Sequence, residues 1–415
     1  MLARAGLPVA CLVGLLAVAL GLVGTLKPAL FLRLPAPAGF LLYAFVGGNG
    51  GHIPGYVTNT LFWPIENFKA WVRPRDVFVA VGAKSGSTWM CYCADSVRRR
   101  GGVAGPEGFL PWVDPMFNTP WMDMIQYPGQ TWADVVEGYN TAIVPSSTGS
   151  DGRTVDVPLS HFWNHPNFTF RIFKSHHTPL PEGNATGVYS DVLPVKQLPD
   201  VKYISVVRNV YEGSADFVAV HKQKFKDDWG GFPPNYPNLD AAAKDLLPGG
   251  HLYNYYFPYV RAWWRLRHER NVLLMHYRDM VEPKQGLDMV VEKLSTFMLD
   301  KEAPLNADEK AAVKERCSAE HMMSPELSGA FDYRIPLHPD PIWKTVGALE
   351  LGGVHAKLAR DVKRSGHKGR KQGKDSARAS GLSEELINMI DSVLETELPD
   401  PEMRNWALYG SKMAP

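Results

Sequence analysis

A short run of basic and hydroxyl residues, Lys-Ser-Gly-Ser-Thr-Trp at residues 84–89, has the chemistry of an anion-binding loop. It lies between an apolar run at residues 77–81 and a helical pattern, which predicts a strand-to-helix junction. Backbone N–H groups at the start of a helix attract anions, and Lys84 would add a full positive charge. The lysine precedes the hydroxyls, unlike the order Gly-Lys-Ser/Thr that ends a Walker A loop. The alternative is an ordinary turn in which Ser87 caps the helix.

A basic and an imidazole side chain, Lys174 and His176, follow a second apolar run at residues 170–173. The carboxyl end of a parallel strand faces the crevice in which α/β proteins bind ligands. His176 would then point toward the ligand, whereas a lone histidine is otherwise more often structural. The adjacent His177 would point to the opposite face of the strand, which is poor geometry for a metal pair. The sequence has no cluster of His, Cys and carboxylate residues with metal-ligand spacing, so we expect no metal.

Four apolar runs rich in β-branched residues predict the strands that would position these side chains. They lie at residues 77–81, 170–173, 203–207 and 272–275. Helical patterns separate them, notably at residues 89–99, 287–298 and 383–394. Strands that alternate with helices imply parallel strands covered on both faces. The predicted fold class is therefore α/β, a single domain at residues 70–412 with a central parallel sheet, flanking helices and a P-loop-like phosphate-binding loop.

The composition suits a large globular domain without a strong global electrostatic field. Of 415 residues, 45% are hydrophobic, and the formal net charge is +1 at pH 7. That charge balance offers no basis for binding nucleic acid. Four cysteines are too few for a disulfide framework in so long a chain, and we expect Cys91 and Cys93 to be small buried core residues. Two segments, residues 101–166 and 226–250, have the character of loop insertions.

The N-terminal segment predicts a membrane anchor. No charged residue lies between Ala5 and Leu26, and roughly 20 apolar residues are enough to cross a hydrocarbon core. The run exceeds the apolar region of about 7–15 residues in a cleaved signal peptide. We expect an uncleaved anchor at residues 1–36 and a connector at residues 37–69, giving a single-pass membrane protein of the Golgi or secretory pathway. The alternatives are a cleaved signal, which would give a secreted protein, and an organelle-targeting segment.

The loop at residues 84–89 resembles the 5′-phosphosulfate-binding loop of the sulfotransferases that use 3′-phosphoadenosine 5′-phosphosulfate (PAPS), whose usual form is Lys-Ser-Gly-Thr-Thr-Trp. The single difference, a serine for the first threonine, keeps the hydroxyl. The resemblance implies a donor-binding loop made of Lys84, Ser85, Gly86, Ser87, Thr88 and Trp89. In that loop Lys84 would bridge the sulfate and the leaving phosphate, and Trp89 would stack on adenine.

The run Lys174-Ser175-His176 is similar to the family's strand ending in Lys-Thr-His. The resemblance implies that His176 is the general base and that Lys174 is the lysine beside it. Arg208 ends a run similar to the family's strand ending in Arg-Asn, which implies that it binds the 3′-phosphate of the donor. The family's serine eight residues later is Asp216 in this chain. Either Ser214 substitutes for it through a shifted helix turn, or that contact is missing.

Two more matches follow in the family's order. Tyr277 matches a tyrosine that approaches adenine, which makes it a cofactor-binding residue by resemblance. Lys368 and Gly369 match two residues of the family's Arg-Lys-Gly, with His367 in place of the arginine. Ala319 stands where the family has a second aromatic residue near the nucleotide.

The resemblance implies an enzyme that transfers a sulfuryl group from PAPS to a hydroxyl or amine of an acceptor, without a metal. His176 would remove the acceptor's proton, Lys84 would stabilise the bridging oxygen and Lys174 would hold a sulfuryl oxygen. Small molecules, lipids and glycans all stay open as acceptor classes. One alternative is a membrane-anchored, non-catalytic nucleotide-binding protein with the same fold, motivated by Asp216, Ala319 and His367. The other is a P-loop kinase-like phosphotransferase, which the missing Gly-Lys-Ser/Thr ending disfavours.

Overall fold

The computed structural model describes most of the chain beyond residue 64. The described residues are 65–82, 85–102, 118–122, 132–148, 153–179, 193–213, 238–282, 285–322, 377–378 and 381–411. The predicted anchor lies outside these ranges, and so do Lys84, Ser214, Lys368 and Gly369. Within them, no helix is both long enough and apolar enough to cross a membrane.

Four parallel strands form the central sheet of the described chain, and two antiparallel strands form a second, smaller sheet. The strands are β1 (Val77–Ala80), β2 (Ile143–Thr148), β3 (Arg153–Pro158), β4 (Ile172–Ser175), β5 (Lys202–Val207) and β6 (Val272–His276). The central sheet has the order β4-β1-β5-β6, with every neighbouring pair parallel. The chain passes from one side of β1 to the other between β4 and β5. This change of direction places a topological switch point at the carboxyl ends of β1 and β5, where α/β sheets bind ligands.

Helices cover both faces of this sheet. The described helices are α1 (Ile65–Trp71), α2 (Ser87–Arg98), α3 (Trp132–Thr141), α4 (Ser160–Trp163), α5 (Leu239–Lys244), α6 (His251–Arg265), α7 (Tyr277–Met280), α8 (Gly286–Met298), α9 (Ala307–Cys317), α10 (Ala319–Met322), α11 (Glu384–Glu397) and α12 (Pro401–Tyr409). The helices α2, α8 and α9 pack on one face, and α1, α6, α11 and α12 pack on the other.

Alternate residues of the buried strands supply the two cores. Val77 and Val79 of β1 pack with α2 and α8, whereas Phe78 and Ala80 pack with the helices of the opposite face. Successive side chains of a strand point to opposite faces, so a strand that is apolar at every position is stable only between two layers. The predicted α/β class, with a parallel sheet and helices on both faces, is confirmed.

One strand lies further along the chain than predicted. The strand predicted at residues 170–173 is Ile172–Ser175. Arg171 stays outside it, where its guanidinium forms an ion pair with buried Asp76. The strand continues through Lys174 and Ser175 because their main chains pair with β1, although neither side chain is apolar.

The segments predicted as insertions contain regular elements. Residues 101–166 include α3 and the antiparallel pair β2–β3. In the second segment, α5 begins at an Asn238 cap, whose side chain accepts from the N–H of Ala241 at 2.9 Å. The sequence patterns do not single out α6, which follows directly and contains Pro258.

The cysteines of the described chain are core residues. Cys91, Cys93 and Cys317 are buried free thiols. Burial raises the pKa of the Cys91 thiol to about 11, so that thiol is protonated at neutral pH. The prediction that Cys91 and Cys93 are small buried residues is confirmed.

Candidate functional site

The loop after β1 turns tightly into α2. The N–H of Ser85 donates to the carbonyl oxygen of Gly82 at 2.9 Å, which closes the turn. Gly86 precedes the helix with a left-handed φ of +89°, a conformation that L side chains rarely adopt. The helix begins at Ser87 without a side-chain cap and without an acidic residue in its first turn. Ser87 is therefore not the cap that the alternative prediction made it, and the uncapped helix start suits an anion.

His176 directly follows β4, and its ring lies beside the start of the loop after β1. Its Nδ1 is 2.5 Å from the carbonyl oxygen of Val81, the residue that follows β1. A carbonyl oxygen can only accept a hydrogen bond, so Nδ1 carries a proton and donates it, and in the neutral imidazole Nε2 is then the basic nitrogen. The residue is only 7% exposed, which restrains the ring in this orientation. Its neighbour His177 donates from its backbone N–H to Ser175 Oγ at 3.0 Å.

Trp121 contacts two candidate catalytic side chains, Lys174 in β4 and His176 just after it. The N–H of Lys174 donates to the carbonyl oxygen of Pro120 at 2.9 Å, which holds residues 118–122 beside the strand. Lys174 Nζ lies 4.0 Å from the centre of the Trp121 ring, a cation–π contact. The imidazole of His176 meets the same indole edge-on, with 4.9 Å between ring centres. Trp121 could not be identified from the sequence, where its only signal is an aromatic residue in a predicted insertion.

Arg208, Tyr277 and Gly86 form the other side of the site. Arg208 directly follows β5, is 4% exposed, and pairs with Glu212 at 3.6 Å. Its guanidinium carbon lies 4.3 Å from the centre of the Tyr277 ring. A Cβ atom placed on Gly86 would lie only 2.9 Å from that ring, so the ring packs directly on the glycine. The tyrosine therefore connects the arginine at the end of β5 to the loop at the end of β1.

Trp89 is half-buried in the first turn of α2. Its indole N–H donates to the carbonyl oxygen of Cys317 at 2.7 Å, and its ring packs against the core of α2, α8 and α9. The segment that runs from Cys317 to Ala319 therefore starts against Trp89. Stacking of the indole on adenine stays a prediction.

Nine predicted site residues belong to described parts of the chain, and they gather at the carboxyl ends of the four central strands. They are Ser85, Gly86, Ser87, Thr88, Trp89, Lys174, His176, Arg208 and Tyr277. Lys84, Ser214, Lys368 and Gly369 lie outside the described ranges. The roles of all the predicted site residues stay predictions. Within those ranges, no group of three or more His, Cys, Asp and Glu residues could hold a metal ion.

The helix α6 contributes three further contacts at the strand ends, which were not predicted from the sequence. Three of its tyrosine hydroxyls donate to main-chain carbonyl oxygens near strand ends, Tyr255 to His176 at 3.3 Å, Tyr256 to Arg208 at 3.1 Å and Tyr259 to Ala80 at 2.7 Å. The only sequence signal was a run of aromatic residues at roughly helical spacing.

The arrangement combines an anion site with a base. An uncapped helix start, a buried guanidinium and a buried ammonium supply positive charge. The imidazole supplies a nitrogen that can accept a proton. Such a site is suited to moving an anionic group onto an acceptor that must lose a proton.

Comparison with known proteins identifies the family. The family model described as "Sulfotransferase domain" matches residues 74–333, more than half of the chain. Sulfotransferase 1A1 of Rattus norvegicus is 24% identical over 266 residues, which cover 63% of this chain and 74% of the rat protein. Sulfotransferase 1A1 of Bos taurus is 22% identical over 233 residues, which cover 55% of this chain and 61% of the bovine protein.

Two solved structures have TM-scores below 0.5 against this chain. Mouse sulfotransferase SULT7A1 complexed with PAP has a TM-score of 0.44 and 15% identity, covering 85% of this chain and 93% of the mouse chain. Retinol dehydratase in a complex with retinol and PAP has a TM-score of 0.43 and 18% identity, covering 84% of this chain and 86% of the other. The family match over residues 74–333 does not depend on these overlaps. The chain belongs to the sulfotransferase domain family and is a sulfotransferase.

Proposed function

We propose that this sulfotransferase moves a sulfuryl group from PAPS to a hydroxyl or amine of a small-molecule acceptor, with His176 as the general base. The observation that carries the proposal is the hydrogen bond from His176 Nδ1 to the Val81 carbonyl oxygen. It places the imidazole beside Val81, the residue that precedes the phosphate-binding loop, and makes Nε2 the basic nitrogen of the neutral ring. Histidine suits this role because its ordinary pKa, about 6.5, is close to physiological pH.

The proposed step transfers one group and one proton. Nε2 of His176 takes the proton of the acceptor as the acceptor's oxygen or nitrogen forms a bond to sulfur. The bond between sulfur and the bridging phosphate oxygen breaks, and 3′-phosphoadenosine 5′-phosphate (PAP) leaves with that electron pair. Lys84 would stabilise the charge that develops on the bridging oxygen, and Lys174 would hold a sulfuryl oxygen. Positioned contacts of this kind each contribute typically about 2.7–4 kcal/mol to lowering a barrier.

Arg208 is proposed to bind the 3′-phosphate of the donor. Its guanidinium is buried, lies against Tyr277 and is therefore presented in a fixed plane. A planar fork of N–H donors matches the geometry of phosphate oxygens. Tyr277 in turn contacts Gly86, so the two phosphate-binding positions would be coupled through one ring.

Trp121 supports an acceptor with a flat or apolar body. Its buried indole contacts both Lys174 and His176, so the packing beside the proposed base is aromatic. Aromatic walls favour apolar rings and chains through the area that they bury. Phenols and other small apolar alcohols are the first acceptors to screen, with a lipid alcohol and a glycan as the alternatives.

The donor site can be tested by calorimetric titration of the full chain, in mild detergent, with PAP and with ADP. ADP lacks the 3′-phosphate, so we expect it to bind at least about tenfold more weakly, a difference of ~1.4 kcal/mol. Arg208→Ala should remove that preference. Arg267→Ala is the matched control, because the Arg267 guanidinium also lies 4.1 Å from the centre of an aromatic ring, that of Trp264. Arg267 precedes β6, so it lies near the amino end of that strand, away from the site.

The outcomes separate the alternatives. Absent or equal binding of the two nucleotides by the wild-type chain would contradict the proposal and favour a non-catalytic protein. Mg²⁺-dependent turnover of ATP would favour the phosphotransferase.

The base can be tested separately with His176→Gln. Turnover of labelled PAPS with a phenol acceptor should fall by about 10²–10⁴, the usual contribution of a general base. PAP affinity should not change, because the imidazole is proposed to meet the acceptor rather than the nucleotide. His177→Gln is the control that distinguishes the two adjacent histidines. A larger loss of turnover in that variant would move the role of base to His177.

We also propose that residues 1–36 anchor the chain in a membrane. The support is the uncharged run from Ala5 to Leu26. After alkaline carbonate extraction the full chain should stay with the membrane pellet, and Leu16→Arg should release it. A full-length, uncleaved wild-type chain in the supernatant would contradict the anchor.

A further inference from the structure

We infer that α6 positions the reacting groups, because its tyrosine hydroxyls hold the strand ends that carry the base, the phosphate loop and Arg208. The inference rests on the proposed function, since it assigns these tyrosines to the same reaction. They act through other residues, by fixing main-chain carbonyl groups, and are not proposed to touch a substrate.

Tyr259 lies at the switch point between β1 and β5. The main-chain ladder between these strands ends at Val79 and Ile204. One residue further on, the Tyr259 hydroxyl donates to the Ala80 carbonyl oxygen at 2.7 Å and lies 2.5 Å from Ser205 Oγ, which must then be the donor to it. The side chains of Tyr259 and Ser205 thus connect the two strands one residue beyond their last main-chain pair.

The ring of Tyr259 also supports the phosphate loop. A Cβ atom on Gly82 would lie 3.2 Å from the Tyr259 ring, so the loop rests on the tyrosine at its first glycine. Gly82 in turn accepts the turn-closing hydrogen bond from Ser85. Tyr259 therefore contacts both the loop, at Gly82, and the strand that precedes it, at Ala80.

Tyr255 and Tyr256 make the corresponding contacts at the neighbouring strands. The hydroxyl of Tyr255 donates to the carbonyl oxygen of His176 at 3.3 Å, and the rings of Tyr255 and Tyr259 are 5.7 Å apart. The hydroxyl of Tyr256 donates to the carbonyl oxygen of Arg208 at 3.1 Å. One helix thus bonds to the end of each strand that carries a proposed reacting group.

The hydroxyls of Tyr256 and Tyr259 are reliable donors because they stay protonated. Burial raises the pKa of Tyr256 well above its usual range, and nearby Glu212 adds to the effect. Burial likewise raises the pKa of Tyr259. Neither hydroxyl therefore ionises in the pH range in which enzymes are assayed.

The outer side of α6 makes separate contacts with α11. Tyr253 and Arg261 both bond to the carboxylate of Glu397 in α11, and Arg261 also donates to the Glu397 carbonyl oxygen at 3.0 Å. Tyr253 is thus a tyrosine of the same helix whose hydroxyl meets a partner away from the site. It provides a matched control for the other three.

Four single Tyr→Phe variants of the full chain test the inference. Each removes one hydroxyl and keeps the ring. Loss of one tether typically changes an equilibrium or a rate by about five- to tenfold. Tyr256→Phe and Tyr259→Phe should weaken PAP binding by that factor, because they hold Arg208 and the phosphate loop. Tyr255→Phe should lower kcat with 2-naphthol by that factor while leaving PAP affinity and the KM for the phenol unchanged. Tyr253→Phe should change none of these quantities.

Melting temperatures separate positioning from general stability. If the hydroxyls were merely structural, the four variants would lose stability without the division between kcat and PAP affinity. A wild-type chain that binds PAP, together with four variants that bind and react alike, would overturn the inference and leave the proposed function standing. A wild-type chain that does not bind PAP would overturn the proposed function itself, and the inference would fall with it.

Discussion

Replacing Gly86 with alanine should damage the donor site through two separable effects. The backbone of Gly86 has φ +89°, where an L residue costs roughly 1–2 kcal/mol. The new Cβ would also lie 2.9 Å from Cε2 and 3.1 Å from Cδ2 of Tyr277, closer than such carbons approach without a shift. Because the Arg208 guanidinium lies 4.3 Å from the centre of that ring, moving the ring should displace the arginine as well.

Gly381 allows the two effects to be measured apart. Its φ is +90°, and within the described part of the protein an added Cβ would meet nothing within 4 Å. Gly381→Ala should therefore carry the backbone strain alone. In urea unfolding both variants should lose about 1–2 kcal/mol, with any further loss in Gly86→Ala reporting the displaced ring.

Only the variant at the loop should lose affinity for PAP. We expect Gly86→Ala to raise the Kd by at least about tenfold in calorimetry, equivalent to ~1.4 kcal/mol, and Gly381→Ala to bind as the wild type does. An unchanged Kd in Gly86→Ala, with the variant folded, would refute the reasoning that the Tyr277 ring couples the loop to Arg208.

The remaining predictions concern ionisable groups outside the loop. Burial lowers the pKa of His276 to about 4, so as the pH falls below about 6.5 the unfolded chain takes up a proton that the folded chain does not. The free energy of unfolding should then drop by about 3 kcal/mol between pH 6.5 and pH 4. In urea melts, His276→Gln should depend less on pH than the wild type over this range, and an equally steep pH dependence in the variant would assign the effect to another group. Asp95 is fully buried and pairs with two buried arginines, so Asp95→Asn should cost about 3–5 kcal/mol. Asp288→Asn, at an ion pair that is about half exposed, should cost under ~1 kcal/mol, and equal melting temperatures for the two variants would contradict this account. Because burial raises the pKa of Cys91 to about 11, iodoacetamide should label that thiol only after unfolding, as peptide mass spectrometry would show; labelling of the folded chain would mean that the thiol is accessible.

The central sheet could be predicted because its strands are buried on both faces. β1 and β5 are apolar at most positions, and no alternating polar face competes with that pattern. β4 shows where the pattern fails. Lys174 is a charged residue inside a buried strand, and its ammonium is accommodated by the Trp121 ring. That partner comes from a distant segment, and nothing near Lys174 in the sequence indicates it.

The candidate site divides in the same way. His176, Arg208 and Tyr277 could be predicted because they directly follow strands whose carboxyl ends converge in a parallel sheet. The contribution of α6 could not, because an internal proline and a run of aromatic residues argue against a helix. Pro258 is tolerated there on an exposed position, while neighbouring tyrosines point inward to hydrogen-bond with the strand ends.

The way in which residues 118–122 are attached bears on how the enzyme can change over evolution. Arg98 donates to the carbonyl oxygen of Asn118 at 3.2 Å, and the N–H of Lys174 donates to that of Pro120 at 2.9 Å. Both acceptors are main-chain atoms, which every amino acid supplies. A new side chain at position 121 would keep these main-chain attachments, but it would remove a buried ring that contacts both the Lys174 ammonium and the His176 imidazole. The range of acceptors and the transfer step could therefore not drift independently at this codon, because one side chain contacts the groups proposed for both.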